Sequence, residues 1–453
     1  MARTPSDKKQ ENMRTLIFSA FALNTAFVFL VWLDSTGLVF PSMATTLVRI
    51  GGLLGLLSAL AVLYQFILQS RLPVLERYVG TPLIHRLHRY NAYLIFWMLI
   101  GHVIFVTLGH SRLHEISFIQ QYVDQVLYYP FIFLAFFAFW ILMGVILTSI
   151  IMVRKHLRYE YWYGIHLAVY AVILLGFLHQ INNGTTLLTA DWFKAYWIVF
   201  YILVLALIAY FRFIRLVLRY SKYGFYVSRV EKETLDTNSI YVGTKKPLPS
   251  NFFIPGQFGI WRFFNRRLWW QAHPFTISSS SPEQGLRLTP KAVGDFTFDL
   301  KKIKPGTKLF FDGPHGVFTT ERLEGKKPLF IAGGIGITPI RAMLGGLGYK
   351  AKDAIIIHAV KTPEDEALSA ELKDIVKRTG AKLYYVYSEK APPGKKTTHI
   401  NATLLKKLIP DPKNRVVALC GPPPMMDAVE NELIELGINK DDIHTERFDF
   451  SAK

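Results

Sequence analysis

Six stretches of the chain, 15–33, 50–70, 90–111, 125–153, 161–190 and 195–211, contain no Asp, Glu, Lys or Arg. A membrane-crossing helix needs ~20 predominantly apolar residues, with a range of about 17 to 25. The pattern therefore predicts a six-helix transmembrane bundle, with about 162–181 of the fifth stretch in the bilayer. Beyond Lys222 the periodicity changes. FYVSRVEKE, SIYVGTK and FGIWRF are short β-type runs separated by turn residues, as in an antiparallel sheet or barrel. From residue 326 the apolar runs PLFIAGG, AIIIHAV, KLYYVYS and VVALCG alternate with helix-like segments such as EDEALSAELKDIVKR, which predicts a parallel α/β sheet. The expected organisation is a cytoplasmic segment 1–14, a bundle 15–220, an antiparallel β-barrel domain 221–325 and an α/β domain 326–453.

Composition supports a membrane portion, since 51% of the residues are hydrophobic. The formal charge of +19 raises the question of nucleic acid, but much of that charge sits at the ends of apolar runs. The clusters Arg3/Lys8/Lys9/Arg14, Arg71/Arg77/Arg86/Arg89, Arg154/Lys155/Arg158 and Arg212/Arg215/Arg219/Lys222 all fall on one side of a six-span bundle. Positive charge marks the cytoplasmic side, so both termini and everything after the bundle are expected in the cytoplasm of a cell-membrane protein. No helix-turn-helix or RNA-recognition signature accompanies the charge, and no nucleic-acid partner is expected. Cys420 is the single cysteine, which excludes an intrachain disulfide and a cysteine-based metal centre. The first apolar run lacks a small-residue cleavage pattern and reads as a retained span.

Four histidines stand out against the apolar background. His88 and His102 lie fourteen residues apart in the third span. At ~100° and ~1.5 Å per residue they return to within about 40° of one face, ~21 Å apart along the axis. His166 and His179 lie thirteen apart in the fifth span, which is ~20 Å of rise. Both spans run in the same direction, so His88 matches His166 at one depth and His102 matches His179 at the other. His85 falls about 100° round the helix from His102 and fits less well. On a straight helix His166 and His179 are some 140° apart, so the fifth span is expected to be tilted or locally rewound, near Gly176. Two imidazoles from facing helices are the axial ligand set of low-spin haem. Zinc requires three or four ligands at one depth, and no Cys, Asp or Glu is available there. A proton relay in a transporter or channel is the other use of intramembrane histidines.

In the β-rich part, QAHPFTISSSSPE closes a strand at His273, Pro274, Phe275, Thr276 and Ser278, and KAVGDFT follows at 291–297. FDGPHGVF leads to IAGGIGITPI at 331–340, where glycines at a strand-to-helix turn let backbone amides approach a pyrophosphate. ALCGPPPMM puts Cys420 and Gly421 at the carboxyl end of a parallel strand, where ligands of open α/β sheets bind. Taken alone, that segment reads as a tight Gly-Pro strand exit with a buried thiol.

The order HPFT, GDFT, DGPHG, GGIGITP, CGPPPM, after six spans with histidines spaced 14 and 13, resembles the NADPH oxidase and ferric reductase family of transmembrane flavocytochromes b, in the bacterial form without EF-hands, from about residue 50 onward. The resemblance implies a ferredoxin-NADP reductase-like dehydrogenase half, two haem b, FAD and NADPH. It implies that His88, His102, His166 and His179 bind haem iron. By the same resemblance His273, Pro274, Phe275, Thr276 and Ser278 form one FAD segment and Lys291, Gly294, Asp295 and Thr297 a second. Gly333, Gly334, Gly336, Thr338 and Pro339 then form the dinucleotide loop, with Cys420, Gly421 and Pro422 beside the nicotinamide. Phe450, or else Phe448, is the implied aromatic over the flavin. Ser388 and Lys390, with Lys395 and Lys396, suit a 2′-phosphate, although Glu389 opposes one; NADPH is expected, with NADH the alternative.

The implied activity is electron transfer from NADPH through FAD and the haems to a small acceptor on the far side, O2 giving superoxide. The far-side loops are short, and the acceptor is their only expected partner besides the bilayer. Position 106 is Val where animal oxidases of the family often have a further histidine, with His110 and Arg112 nearby, which leaves a ferric chelate as the alternative acceptor. A quinone is a more distant one. No EF-hand-like loop is present, and no obligatory activator subunit is expected.

Overall fold

The computed structural model describes residues 5–37, 39, 41–150, 157 and 159–447. The chain forms two compact units, Met1–Phe213 and Ile214–Lys453.

The first unit is helical. In chain order it contains α1 (Pro5–Thr36), α2 (Met43–Gln69), α3 (Pro73–Tyr78), α4 (Thr81–His114), α5 (Phe118–Tyr128), α6 (Ile132–Ser149), α7 (Tyr159–Leu167), α8 (Val169–Asn183), α9 (Thr185–Thr189) and α10 (Asp191–Ile208). Six helical stretches among the described residues are long and apolar enough to cross a membrane: Gln10–Thr36, Met43–Gln69, Leu83–His114, Ile132–Ser149, Tyr161–Asn183 and Asp191–Tyr223. The protein is thus an integral membrane protein. The fourth span starts later than the charge-free run suggests, because Tyr129 and Pro130 leave the helix and Phe131 takes a left-handed φ of 61°. Residues 118–128 are a separate amphipathic helix.

Helices α2 and α4 pack closely, and small residues make this possible. A Cβ on Gly109 would lie 2.6 Å from Val48 Cγ2, and one on Gly51 2.7 Å from Val106 Cγ2. Small residues at such contacts let helix backbones pack without an aqueous hydrophobic drive. Polar groups fasten the same pair: Asn91 Nδ2 donates to the Ala61 carbonyl at 2.8 Å and to Gln65 Oε1 at 2.7 Å.

The second unit begins with α11 (Arg215–Tyr223), the helical continuation of the sixth span. Arg215 Nη2 contacts Asp312 Oδ1 of the DGPHG segment at 2.8 Å. Strands β1 (Tyr226–Lys232), β2 (Asn238–Gly243), β3 (Phe258–Phe263), β4 (His273–Thr276), β5 (Leu286–Leu288) and β6 (Leu309–His315) form two antiparallel sheets, ordered β1-β2-β5 and β4-β3-β6. Short stretches of pairing rather than long ladders join their edges: Ser278 N–H donates to the Arg287 carbonyl at 2.7 Å, and around an isolated bridge between Tyr226 and Lys308 the Val227 N–H donates to the Thr307 carbonyl at 2.8 Å and the Gly306 N–H to the Val227 carbonyl at 2.7 Å. The sheets enclose one core centred on Phe225, Trp261, Phe263 and Phe311. Alternation explains it, since Gly259, Trp261 and Phe263 face inward along β3.

The short α12 (Asp295–Leu300) precedes β6. The remaining strands are β7 (Lys327–Gly333), β8 (Ile355–Val360), β9 (Lys382–Tyr387), β10 (Arg415–Gly421) and β11 (Ile443–Arg447). They form a parallel sheet ordered β11-β10-β7-β8-β9. Among the helices packed on it are α13 (Ile337–Leu347), α14 (Ser369–Thr379), α15 (Ala402–Leu408) and α16 (Pro423–Glu435). Apolar clusters cover both faces, which is why β10 is buried along its whole length.

Candidate functional site

Within the bundle, α4 carries His88 and His102, α7 carries His166 and α8 carries His179. The rings of His88 and His166 lie with centres 6.3 Å apart. The Trp162 ring lies tilted by 33° against the His166 ring with centres 5.1 Å apart, and Ser149 Oγ lies 3.4 Å from its Nδ1. His88 Nδ1 is buried and has no hydrogen-bond partner among the described residues, while the His179 ring reaches back toward the Gly176 carbonyl. The Nδ1 of His102 lies 2.8 Å from the Gly51 carbonyl. Gly55 makes room for that ring, since a Cβ there would meet His102 Nδ1 at 2.5 Å. His179 is held through its neighbour: Gln180 Oε1 accepts from Trp197 Nε1 and Tyr201 Oη of α10, each at 3.0 Å.

The rewinding of the fifth span lies at Ala168, not Gly176. There α7 ends and α8 begins, with Ala168 N–H donating to the Ile165 carbonyl and Ala171 N–H to the Ala168 carbonyl. Such three-residue turns wind at ~120° per residue rather than ~100°, which advances His179 toward the face of His166.

In the second unit, β4 presents the first predicted segment. His273 packs on Phe296 with ring centres 3.9 Å apart, and Phe275 lies parallel to the same ring at 6.1 Å. Thr276 is buried and Pro274 exposed. Ser278 is turned inward, where its hydroxyl accepts from Arg287 Nε at 3.1 Å. In the second segment, Thr297 Oγ1 accepts from the Val293 and Gly294 N–H groups at 2.9 and 3.0 Å, while Asp295 is exposed. Lys291 is ion-paired with Asp236 at 3.2 Å and Asp365 at 3.1 Å, so it ties the barrel to the α/β lobe. Burial opposes its charge, yet the two carboxylates hold its pKa above the ordinary value.

The glycine loop and the CGPPPM segment meet at the carboxyl ends of β7 and β10. A Cβ on Gly336 would lie 2.3 Å from the Cys420 carbonyl oxygen, and one on Gly421 3.0 Å from the Gly333 backbone. Pro422 packs on Gly333, and Thr338 Oγ1 donates to the Ile335 carbonyl at 3.0 Å, with Pro339 buried behind it. Only bare backbone fits here. The Cys420 thiol lies in the core, and burial, then Glu446, push its pKa well above the ordinary value. Ser388 and Lys390 follow β9, two strands from β7, or ~10 Å across the sheet. The side chain of Glu389 pairs with Lys361 at 2.7 Å. Phe448 and Phe450 lie outside the described residues.

Three features escaped sequence reasoning. Glu446 pairs in register with Cys420, and burial raises its carboxyl to about 7. The imidazole of His358, fully buried, sits under the glycine loop with Nε2 at 3.0 Å from the Gly334 carbonyl; burial lowers it to about 4, so the neutral ring donates. Arg287 contacts Glu371 of α14 at 2.5 Å, and Arg341 of α13 contacts the same carboxylate while donating to the Ser278 carbonyl at 3.0 Å. A charge inside the apolar LRL run and the alternation of IHTER were the available signals.

Comparison with known proteins gives three matches in chain order. Residues 54–177 match the ferric reductase like transmembrane component, 225–319 an FAD-binding domain and 330–431 the oxidoreductase NAD-binding domain. The reductase half is 29% identical over 237 residues to a flavohemoprotein of Oceanobacillus iheyensis, covering 49% of this chain and 58% of that one. It is 28% identical over 236 residues to the glycine betaine monooxygenase reductase subunit of Pseudomonas aeruginosa, covering 49% and 62%. The chain therefore spans about three fifths of the length of these relatives. Among solved structures, the flavohem-like FAD/NAD binding domain of nitric oxide dioxygenase from Vibrio cholerae has a TM-score of 0.42 at 21% identity, covering 49% of this chain and 98% of that one. A flavohemoglobin from Malassezia yamatoensis has a TM-score of 0.44 at 21% identity, covering 89% and 96%.

Proposed function

We propose that this chain, a transmembrane oxidoreductase with the architecture of the NADPH oxidase and ferric-reductase-like flavocytochromes, oxidises cytosolic NADPH, with NADH as the alternative donor, and delivers electrons across the cell membrane to O2, forming superoxide. The observation that carries this reading is the 6.3 Å between the His88 and His166 ring centres. Imidazole nitrogens bond metal ions at ~2.0 Å, so two rings that shared one iron would have centres at about that separation. The buried Nδ1 of His88, without a hydrogen-bond partner among the described residues, fits the same use. So does His102, whose Nδ1–H on the Gly51 carbonyl leaves Nε2 as the lone-pair nitrogen.

His88 and His166 would hold one iron, and His102 and His179 the other. When bound, FAD accepts the two electrons of a hydride and haem iron carries them singly. The chain supplies position and insulation. His273, Phe275 and Phe296 form an aromatic shelf on which a planar ring can stack. Gly333, Gly336 and Gly421 keep the strand ends bare, so a dinucleotide can reach the backbone amides. Glu446, poised near neutral pH, can hold or release a proton behind that strand end. The positive clusters favour cytoplasmic termini.

Purified protein given haem, FAD and NADPH, without a partner subunit, is expected to reduce cytochrome c in a reaction that superoxide dismutase abolishes. A ferric chelate is the second reading. It is favoured by the polar end of α4, where Thr107 Oγ1 donates to Gln125 Oε1 at 3.0 Å, His114 Nδ1 lies 2.7 Å from Gln121 Oε1 and Arg112 is exposed. Dismutase-insensitive reduction of ferric chelates would select it.

A further inference from the structure

The turn between β3 and β4 reads FNRRLWWQ over residues 264–271. Local hydrogen bonds close it into a knob. Asn265 closes it, its carbonyl accepting from Leu268 N–H at 3.0 Å and Trp269 N–H at 3.1 Å, while Leu268 is buried in the barrel core. That anchor turns the neighbours outward: Trp269 is 58% exposed, Trp270 36% and Phe264 42%, with Arg266 and Arg267 beside them. Large aromatics bury ~150–250 Å² each when covered, so two adjacent exposed tryptophans on one turn call for a covering partner.

Charge and position say which. Residues 264–271 and 299–308 together hold six Arg and Lys against Asp299 alone. Asp299 is itself answered by Arg267 at 3.4 Å. Phe264 packs edge-on against Phe310 at 4.7 Å and lies 6.4 Å from Tyr220, which stands on α11. Tyr220 follows the end of the charge-free sixth run, at 211, by nine helical residues, or ~14 Å of rise. The knob therefore neighbours the segment that leaves the bilayer. Tryptophan and arginine side by side are suited to the membrane interface, the ring among headgroups and acyl boundary and the guanidinium on phosphate.

We infer that the 264–271 turn, with the 299–308 segment beside it, is a membrane-docking surface for anionic phospholipid headgroups. Docking would brace the reductase unit against the leaflet from which α11 emerges.

The test is hydrogen exchange of the FAD-saturated full chain in nanodiscs of phosphatidylcholine alone or with phosphatidylglycerol. Amides of 264–271 are expected to exchange roughly 10-fold more slowly with the anionic lipid, since two arginines gain at least that factor near a charged leaflet. High salt should remove the difference. R266S/R267S should abolish it while FAD binding stays intact, because both side chains are exposed. Brominated phosphatidylglycerol should quench the tryptophan fluorescence of the native chain more than that of W269F/W270F. Equal exchange in both lipids and in detergent would overturn the inference. So would lipid-independent protection, which would mean that flavin or protein covers the turn. Neither readout depends on haem or turnover.

Discussion

In the bundle, the proposed ligands are four imidazoles, and His102 is placed by what its neighbours lack: Gly55 leaves the volume that the His102 ring fills, and Gly51 brings a carbonyl within reach. In the reductase unit the groups that matter are mostly backbone, and they are placed by what their neighbours supply. The strand ends at Gly333 and Gly421 are held together by β-ladders, while Arg287, Arg341 and Glu371 lock the barrel to the α/β lobe. Lipid cannot satisfy a stray polar group, so a membrane site is economical in polar atoms. A dinucleotide site outside the bilayer can be surrounded by charge.

If this contrast is right, adding volume should be most damaging in the bundle. Gly55→Leu should displace His102, remove one haem per chain and slow acceptor reduction about 100-fold, while flavin reduction by NADPH stays normal; spectra and stopped-flow traces check both.

Removing charge should be most damaging in the reductase unit. Glu371→Ala would leave the buried Arg287 guanidinium without its carboxylate, at about 3 kcal/mol in unfolding of that unit. Burial alone would raise the Glu371 pKa, but Arg287 and Arg341 outweigh it and lower the value. Because the folded pKa is depressed, this stabilisation is complete above the unfolded-state value and is lost as pH falls through the folded one. Acid melting curves of the native chain should show that loss, and those of Glu371→Ala should not.

Gly336→Ala sharpens the comparison from the other direction, since its Cβ would strike the Cys420 carbonyl. A cost of about 1–3 kcal/mol is expected, read as a higher KM for NADPH with haem content unchanged. The smallest effect belongs to the exposed Lys361–Glu389 pair. Glu389→Ala should free Lys361 and improve NADPH over NADH by only ~3-fold in kcat/KM.

The parts legible in the sequence were those with a periodic or compositional signature. Six spans followed from missing charges, the imidazole depths from spacings of 14 and 13, and the sheet from alternating apolar runs. The start of the fourth span was misplaced because absence of charge does not register a helix break, although Pro130 signalled one. The rewinding at Ala168 carries no residue signal, since its turns use backbone hydrogen bonds that any residue can make. Gly176 lies mid-helix in nearly open space and needs no special winding. Contacts such as Arg287–Glu371 span 84 positions, and pairing at that distance is set by the fold as a whole.

The central claim is that four histidines clamp two irons at two depths, and the number of haems per chain tests it most directly. A pyridine haemochrome assay should give two for the native protein and one for each of H88L, H102L, H166L and H179L, with flavin content unchanged. A preparation that binds dinucleotide but shows no Soret band, or single variants that keep both haems, would contradict it.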